Sequence, residues 1–141
     1  MKISISLFGK FHAFYMAKID INHYISNLFS KSAAKRIGAD NDFVISWSSK
    51  SLEIFEKLKK SKTIKILERG STHVLFQRDI LKEEYKILGL REPKFLDNKS
   101  LISKQLKEYD LADYISVPSE FVKRTFIDYG VKENKIIVVN Y

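Results

Sequence analysis

Apolar runs of strand length alternate along the chain with segments of helical spacing. Six runs predict strands, which are Ile3 to Phe8, Tyr24 to Phe29, Phe43 to Trp47, Thr63 to Leu67, Tyr114 to Val117 and Ile136 to Val139. Between several of them, apolar residues recur at i, i+4 and i+7, as they do in a helix that packs one face against a sheet. This alternation is typical of an α/β fold with a mostly parallel sheet.

The spacing and the capping residues predict where helices lie. One helix is indicated by Leu81, Tyr85 and Leu88, and another by Ile102, Leu106 and Tyr109. Serine side chains cap helix starts, and glycine adopts the left-handed conformation that ends helices. The predicted N-caps are Ser51, Ser100 and Ser119, and the predicted stops are Gly89 and Gly130.

We therefore predict a single α/β domain over residues 1–141, with an open, mostly parallel Rossmann-like sheet and helices on both faces. Ligands of such folds bind beyond the carboxyl ends of the strands. Trp47 ends a predicted strand on that edge and could offer a flat surface to a sugar ring. We interpret it instead as a core residue, the commoner role of a tryptophan at a strand end.

The composition rules out several kinds of site. The chain has no cysteine, which excludes disulfides, thiolate metal ligands and cysteine nucleophiles. Its three histidines, His12, His23 and His73, lack the spacing of a metal site, and no phosphate-binding glycine motif is present. We expect no metal and no cofactor. No apolar run suits a secretion signal or a membrane span, so we expect a cytoplasmic protein, at most peripheral on the membrane's cytoplasmic face.

The charge is strongly basic. Lys and Arg total 25 against 17 for Asp and Glu, a formal net charge of +8, which favours nucleic acid, phosphorylated ligands or an anionic lipid surface as partners. The densest group is Lys57, Lys59, Lys60, Lys62 and Lys65. We interpret it as the solvated end of a helix with the strand that follows. The chain lacks aromatic residues interleaved with arginines, which argues against nucleic acid.

Three segments carry the most specific pattern. The longest runs from Asp113 through Pro118-Ser119-Glu120-Phe121 and Tyr129-Gly130-Val131 to Tyr141, and predicts a strand, a turn, a capped helix, a glycine stop and a final strand. Ser119 is placed to cap that helix, and Glu120 lies where its charge complements the helix dipole. The other two segments are the turns Gly9 to Phe14 and Glu68 to His73, each of which follows a predicted strand.

Together these segments resemble the amino-terminal acceptor domain of family-4-type glycosyltransferases, whose fold is GT-B. The resemblance spans nearly the whole chain. It implies a retaining enzyme that transfers a sugar from a nucleotide-sugar donor to a glycan or a lipid-linked acceptor, in a cleft between two domains. The family's donor-binding domain, with its acidic motif and its basic pair, has no counterpart in this sequence. The resemblance therefore implies half of a GT-B fold, inactive unless a donor-domain partner completes it.

The resemblance also implies roles for individual residues. A histidine in the family's acceptor loop helps to hold the transferred sugar, and this role falls on His73 as the candidate catalytic residue. The acceptor-binding candidates are Gly9, Lys10, Glu68, Arg69, Ser71, Ser119 and Glu120. Each has a structural alternative, since His73 suits a helix cap or core edge, an arginine in a loop is usually solvated, and Gly9 and Lys10 suit a plain turn.

A function of a different class stays open. The chain could be a non-catalytic, basic Rossmann-like module whose charge of +8 binds an anionic membrane surface or nucleic acid. Separately, we expect an acceptor domain that acts on lipid-linked sugars to associate weakly with anionic lipid through Lys57, Lys59, Lys60 and Lys62. Salt-dependent binding that is insensitive to sugars and nucleotides would distinguish this function from glycosyl transfer.

Overall fold

The computed structural model of the protein describes residues 21–140, which form an open, all-parallel α/β sheet. Its four strands within this range are β1 (Phe43–Trp47), β2 (Ile64–Glu68), β3 (Tyr114–Val117) and β4 (Ile136–Val138). They lie side by side in the order of the chain, and each neighbouring pair is parallel. The predicted fold class, an open Rossmann-like α/β sheet, is confirmed.

Helices connect the strands. The α-helices in the described range are α1 (Ile21–Arg36), α2 (Leu52–Lys57), α3 (Val74–Ile87), α4 (Lys99–Leu111) and α5 (Glu120–Asp128). Short 3-10 turns follow at Leu58–Lys60, Lys94–Asp97 and Glu133–Lys135. The predicted glycine stops are confirmed, since Gly89 and Gly130 have φ angles of 63° and 87°, a left-handed conformation that costs glycine little.

Four of the predicted strands are found within a residue or two of their expected bounds, and one is wrong. Tyr24 to Phe29 lies inside α1. Its apolar residues also repeat at i and i+4, as in Ile25 and Phe29, and so short an apolar run fits a helix as well as a strand. The predicted strand Ile3 to Phe8 lies outside the described residues.

The predicted caps were partly right. Ser119 caps α5, its Oγ accepting a hydrogen bond from the amide of Val122 at 3.3 Å. The cap of α4 is Asn98, two residues before the predicted Ser100, and its Oδ1 accepts from the amide of Leu101 at 3.1 Å. Ser51 precedes α2 as predicted, but its hydroxyl donates backward to the carbonyl of Trp47 at 2.7 Å. Asparagine and serine both serve as N-caps, so only the surrounding backbone decides between neighbours.

The strand order places the helices on one face. Each connection between described strands moves to the next position in the same direction, and right-handed crossovers of that kind put their helices on the same side of a sheet. We expected helices on both faces of the sheet. The helices of residues 21–140 cover one face. The covered face forms the core, in which Leu67 and Ile115 pack against Phe55 of α2 and Phe126 of α5, all with no exposed surface.

The other face of the sheet is exposed and apolar. The register places Ile45, Ile66 and Tyr114 in one row across three strands. Trp47 lies in the next row and is 55% exposed, so its interpretation as a core residue is wrong for the part of the chain that is described. Trp47 is exposed because α2 and α4 pack on the opposite face of the sheet.

The lysine cluster divides into structural and solvated residues. Lys65 is buried, and its Nζ lies 2.7 Å from the Asp113 carboxylate. The Nζ of Lys57 donates to the carbonyls of Ala34 and Ile37, each at 2.7 Å, and so binds the carboxyl end of α1. Lys59, Lys60 and Lys62 are exposed, as a solvated helix end requires.

We predict that Phe55→Ala lowers the free energy of unfolding by about 4 kcal/mol, because it leaves a cavity between α2 and the sheet. Chemical denaturation followed by circular dichroism measures this difference. Phe95→Ala is the matched control, since Phe95 is 63% exposed, and it should cost less than about 1 kcal/mol. Equal losses from the two substitutions would contradict the placement of the core.

Candidate functional site at the carboxyl ends of the strands

The loop after β2 is organised by a buried guanidinium. Arg69 is 7% exposed, and its Nη2 and Nε donate to the carbonyl of Thr72 at 2.9 and 3.1 Å. The Nε donor is shared with the carbonyl of Ser71, while Nη1 donates to the side chains of Ser48 and Gln105 and Nη2 also donates to the side chain of Gln77. Every one of these acceptors is neutral. The guanidinium therefore binds the backbone of its own loop. The expectation that Arg69 is solvated is wrong.

The loop after β1 is held by a buried carboxylate from α4. Glu108 has no exposed surface, and it accepts hydrogen bonds from the amides of Ser49, Ser51 and Leu52 at 2.6, 2.9 and 3.1 Å. Burial raises the pKa of Glu108, and these amides oppose the shift because they stabilise the ionised form. The carboxylate thus satisfies donors at the start of α2 that a helix leaves unpaired.

Gln105 joins the two loops. Its Nε2 donates to the Ser49 hydroxyl at 2.6 Å, and its Oε1 accepts from Arg69 Nη1 at 3.1 Å. Ser49 has a φ angle of 74°, an uncommon conformation for a residue with a side chain. Its bonds to Glu108 and Gln105 hold it there. Neither of these α4 residues was a candidate from the sequence, where their only signal is the three-residue spacing that gives them one helix face.

His73 lies in the interior below this network. Its side chain is 2% exposed, and its Nδ1 accepts a hydrogen bond from the amide of Leu75 at 3.3 Å, which caps α3. Its ring stacks on Tyr129 with centroids 4.8 Å apart, and contacts Tyr109 and Phe126 at 5.1 Å each. Burial, and next the charge of Arg69, lower the pKa of His73 to about 4. The imidazole is therefore neutral near neutral pH.

The structure brings the two described motif segments into contact. The amide of Arg69 donates to the carbonyl of Ser116 at 2.9 Å, and the amide of His73 donates to the Thr125 hydroxyl at 3.1 Å. The loop after β2 therefore packs directly on β3 and α5. Ser71 is half-buried in that loop.

The remaining candidates occupy separate positions. Glu120 is exposed in the first turn of α5, 4.0 Å from Lys123 Nζ. Glu68 ends β2, and its backbone carbonyl accepts from the amide of Ser48 at 3.0 Å, so it joins the two strand ends. Gly9 and Lys10 lie outside the described residues.

A large depression lies toward the opposite edge of the sheet. It measures about 820 Å³ and is lined by His73 and by the α4–β3 and α5–β4 connections, including Asp110, Asp113, Lys132 and Lys135. Lys135 Nζ donates to the carbonyls of Tyr109 and Asp110 at 2.6 and 3.0 Å, which binds the last turn of α4. Open α/β sheets bind ligands at the carboxyl edge, so we place the candidate site there.

Two kinds of feature are absent from the described range. Residues 21–140 contain no group of three or more histidine, aspartate or glutamate side chains that could hold a metal ion. In the same range, no helix is long and apolar enough to cross a membrane.

Comparisons with known proteins give no match. No family model matches the chain, and neither does any curated protein or solved structure. The resemblance to glycosyltransferases therefore rests on the motif segments alone, and the function is a proposal.

We predict that Glu108→Ala lowers the free energy of unfolding by about 3 kcal/mol or more, because it leaves three amides without their acceptor. Glu108→Gln keeps one acceptor oxygen and should fall between this variant and the natural chain. Urea denaturation measures both. Glu84→Ala, which removes an exposed acid from α3, is the control and should change stability by less than about 0.5 kcal/mol. A Glu108→Ala chain as stable as this control would exclude the network as a structural constraint.

We predict that the imidazole of His73 titrates near pH 4. The imidazole of His73 has a pKa of about 6.5 in the unfolded chain. Between about pH 4 and pH 6.5, the unfolded chain therefore binds a proton at His73 that the folded chain does not. Stability from His73 is therefore complete above about pH 6.5 and falls as the pH drops, by up to about 3 kcal/mol. Proton NMR of the imidazole and urea denaturation across this range measure the two effects. His73→Asn keeps an acceptor for the α3 cap and should flatten the slope, whereas titration of His73 near its ordinary pKa would refute its enclosure.

Proposed function

We propose that the chain is the acceptor-side domain of a retaining glycosyltransferase. The enzyme would transfer sugar from a nucleotide-sugar donor to a glycan or lipid-linked acceptor. The observation that carries the proposal is the contact between the two described motif segments. The loop from Glu68 to His73 packs on β3 and α5, the elements that contain Ser116 and Thr125. Residues whose sequence resembles one family's acceptor site thus meet at the edge where open α/β sheets bind ligands.

The surface at this edge suits hydroxyl groups. Ser71 and Ser119 are half-buried, and Gly70 and Glu120 are exposed beside them in sequence. A glutamate carboxylate accepts hydrogen bonds from sugar hydroxyls, and serine hydroxyls both donate and accept. In the proposal, this surface is one side of a cleft between two domains. A surface that is open on its other side buries little of a ligand, so its affinity for a free sugar should be low.

His73 takes a positioning role in this proposal. Its ring is enclosed by Tyr109, Phe126 and Tyr129, and its Nδ1 is used by the α3 cap. From that position it fixes where the Arg69 loop ends and α3 begins. A sugar held by the loop would therefore depend on His73 through the backbone of Ser71 and Thr72.

In this proposal, a second domain supplies the groups that bind the donor diphosphate. The loops after β1 and β2 direct their donors inward, three amides to Glu108 and the Arg69 guanidinium to carbonyls and neutral side chains. A diphosphate at this edge would have to compete with these internal acceptors. We therefore place donor binding and the stabilisation of the leaving diphosphate on a donor-domain partner.

We predict that oligosaccharides shift the amide NMR resonances of residues 69–73 and 116–121 in the isotope-labelled chain, with dissociation constants of about a millimolar or weaker. Nucleotide sugars should bind the chain no more tightly. Glu120→Gln should weaken the shifts, because an acceptor of sugar hydroxyls is lost. Glu84→Gln is the matched control, since it also removes an exposed carboxylate but lies about three turns along α3 from the loop.

Three results would contradict the proposal. The first is an absence of shifts with any of a broad set of hexose and disaccharide acceptors. The second is a set of shifts confined to the depression around Asp110 and Lys132. Micromolar binding of a nucleotide sugar by the chain alone would show instead that the donor site is complete without a partner.

A further inference from the structure

Helix α1 carries an exposed face that combines apolar and basic side chains. Tyr24, Ile25, Leu28 and Phe29 are each more than half exposed. At 3.6 residues per turn, they fall within about 140° of the helix circumference. Large apolar side chains grouped on one exposed helix face mark an interaction surface more often than scattered ones do.

The second half of the same face is basic. Lys31, Lys35 and Arg36 are exposed and fall within about 160° together with the four apolar residues. The sequence of α1, from Ile21 to Arg36, contains no aspartate or glutamate. The face is therefore apolar in its first turns and cationic in its last turns, with no carboxylate from its own helix.

The opposite face of α1 is already used. Ala34 is buried in the core beside Ile54 and Phe55 of α2. The Ser30 hydroxyl donates to the carbonyl of Lys50 at 2.7 Å and also bonds to Glu53. These contacts hold α1 to the domain so that the apolar and basic face points away from it.

Neighbouring elements add positive charge along this face. Lys50 Nζ lies over the Phe29 ring, 5.8 Å from its centroid. Lys57 binds the carbonyls of Ala34 and Ile37 at the carboxyl end of α1, and the exposed Lys59 and Lys60 follow it in a 3-10 turn. A groove of about 440 Å³ also runs along the helix, lined by Phe29, Ala33 and Ile37 with Arg36 beside them.

We propose that α1 docks the protein onto an anionic lipid surface. Tyr24, Ile25, Leu28 and Phe29 enter the interface between headgroups and acyl chains, and Lys31, Lys35 and Arg36 contact the headgroup phosphates. Interfacial helices bind by this combination of apolar burial and attraction to anionic lipids. The cationic half selects a lipid surface over a second copy of this chain, because two copies of α1 would bring like charges together. The inference does not depend on the glycosyltransferase proposal.

The test is co-sedimentation of the full chain with vesicles of phosphatidylcholine, with and without phosphatidylglycerol. We expect binding to the anionic vesicles that weakens as salt is added. Ile25→Gln with Phe29→Gln should reduce the partition coefficient about tenfold, because two apolar side chains no longer gain by burial. Ile87→Gln with Leu90→Gln is the matched control, since both residues are more than half exposed elsewhere, and it should leave binding unchanged.

The contribution of the basic side chains of α1 to vesicle binding is tested in the same way. Lys31→Gln with Lys35→Gln should weaken binding by about tenfold or more, since each lysine near an anionic surface contributes about fivefold. Lys86→Gln with Lys99→Gln removes the same net charge from other exposed positions and should have little effect. Circular dichroism confirms that the variants are folded.

Three outcomes would overturn the proposal. One is an absence of binding to anionic vesicles at low salt. Another is equal loss of binding in the α1 variants and their controls, which would indicate attraction through net charge alone. Self-association without lipid that the Ile25 and Phe29 substitutions abolish would assign this face to a second copy of the chain.

Discussion

A buried carboxylate is the constraint on which the arrangement of the carboxyl edge depends. An ionised group without exposed surface is tolerated only when donors surround it. The donors of Glu108 are three amides of the loop after β1, so α4 has to lie against that loop. One turn earlier, Gln105 ties the same helix to Arg69 after β2. A single helix therefore fixes the loops that follow two strands, and the position of Arg69 depends on it.

The unbroken strand order is the second constraint. Since the chain adds each described strand on the same side of the last, its crossovers pack on one face and leave Ile45, Trp47 and Tyr114 exposed on the other. The apolar run Phe43 to Trp47 predicted β1 correctly, whereas the interpretation of Trp47 as a core residue was wrong. The run of apolar residues identifies a strand, but burial depends on which elements pack against it.

Sequence reasoning succeeded where the signal is local. The strands β1 to β4, the stops at Gly89 and Gly130 and the Ser119 cap follow from apolar runs, backbone freedom and one side-chain hydrogen bond. It failed where the outcome depends on distant partners. Glu108 and Gln105 look like solvent-facing residues of α4, and only the loop after β1, more than fifty residues earlier, explains their burial. Arg69 was misjudged for the same reason, because its acceptors come from four different segments.

The position of α1 connects the proposed lipid-binding face with the proposed acceptor site. Ser30 binds the carbonyl of Lys50, and the Lys50 ammonium lies over Phe29, so the apolar half of α1 adjoins the loop after β1. Two residues before Lys50, the Ser48 hydroxyl accepts from Arg69, the guanidinium that shapes the acceptor loop. A chain docked through α1 would hold its carboxyl edge close to the bilayer. A free glycan gains nothing from that closeness. An acceptor anchored in the bilayer is confined to the same thin layer, and its raised local concentration offsets the weak affinity of an open binding surface. Under the two proposals taken together, the position of α1 favours a lipid-linked acceptor over a soluble one.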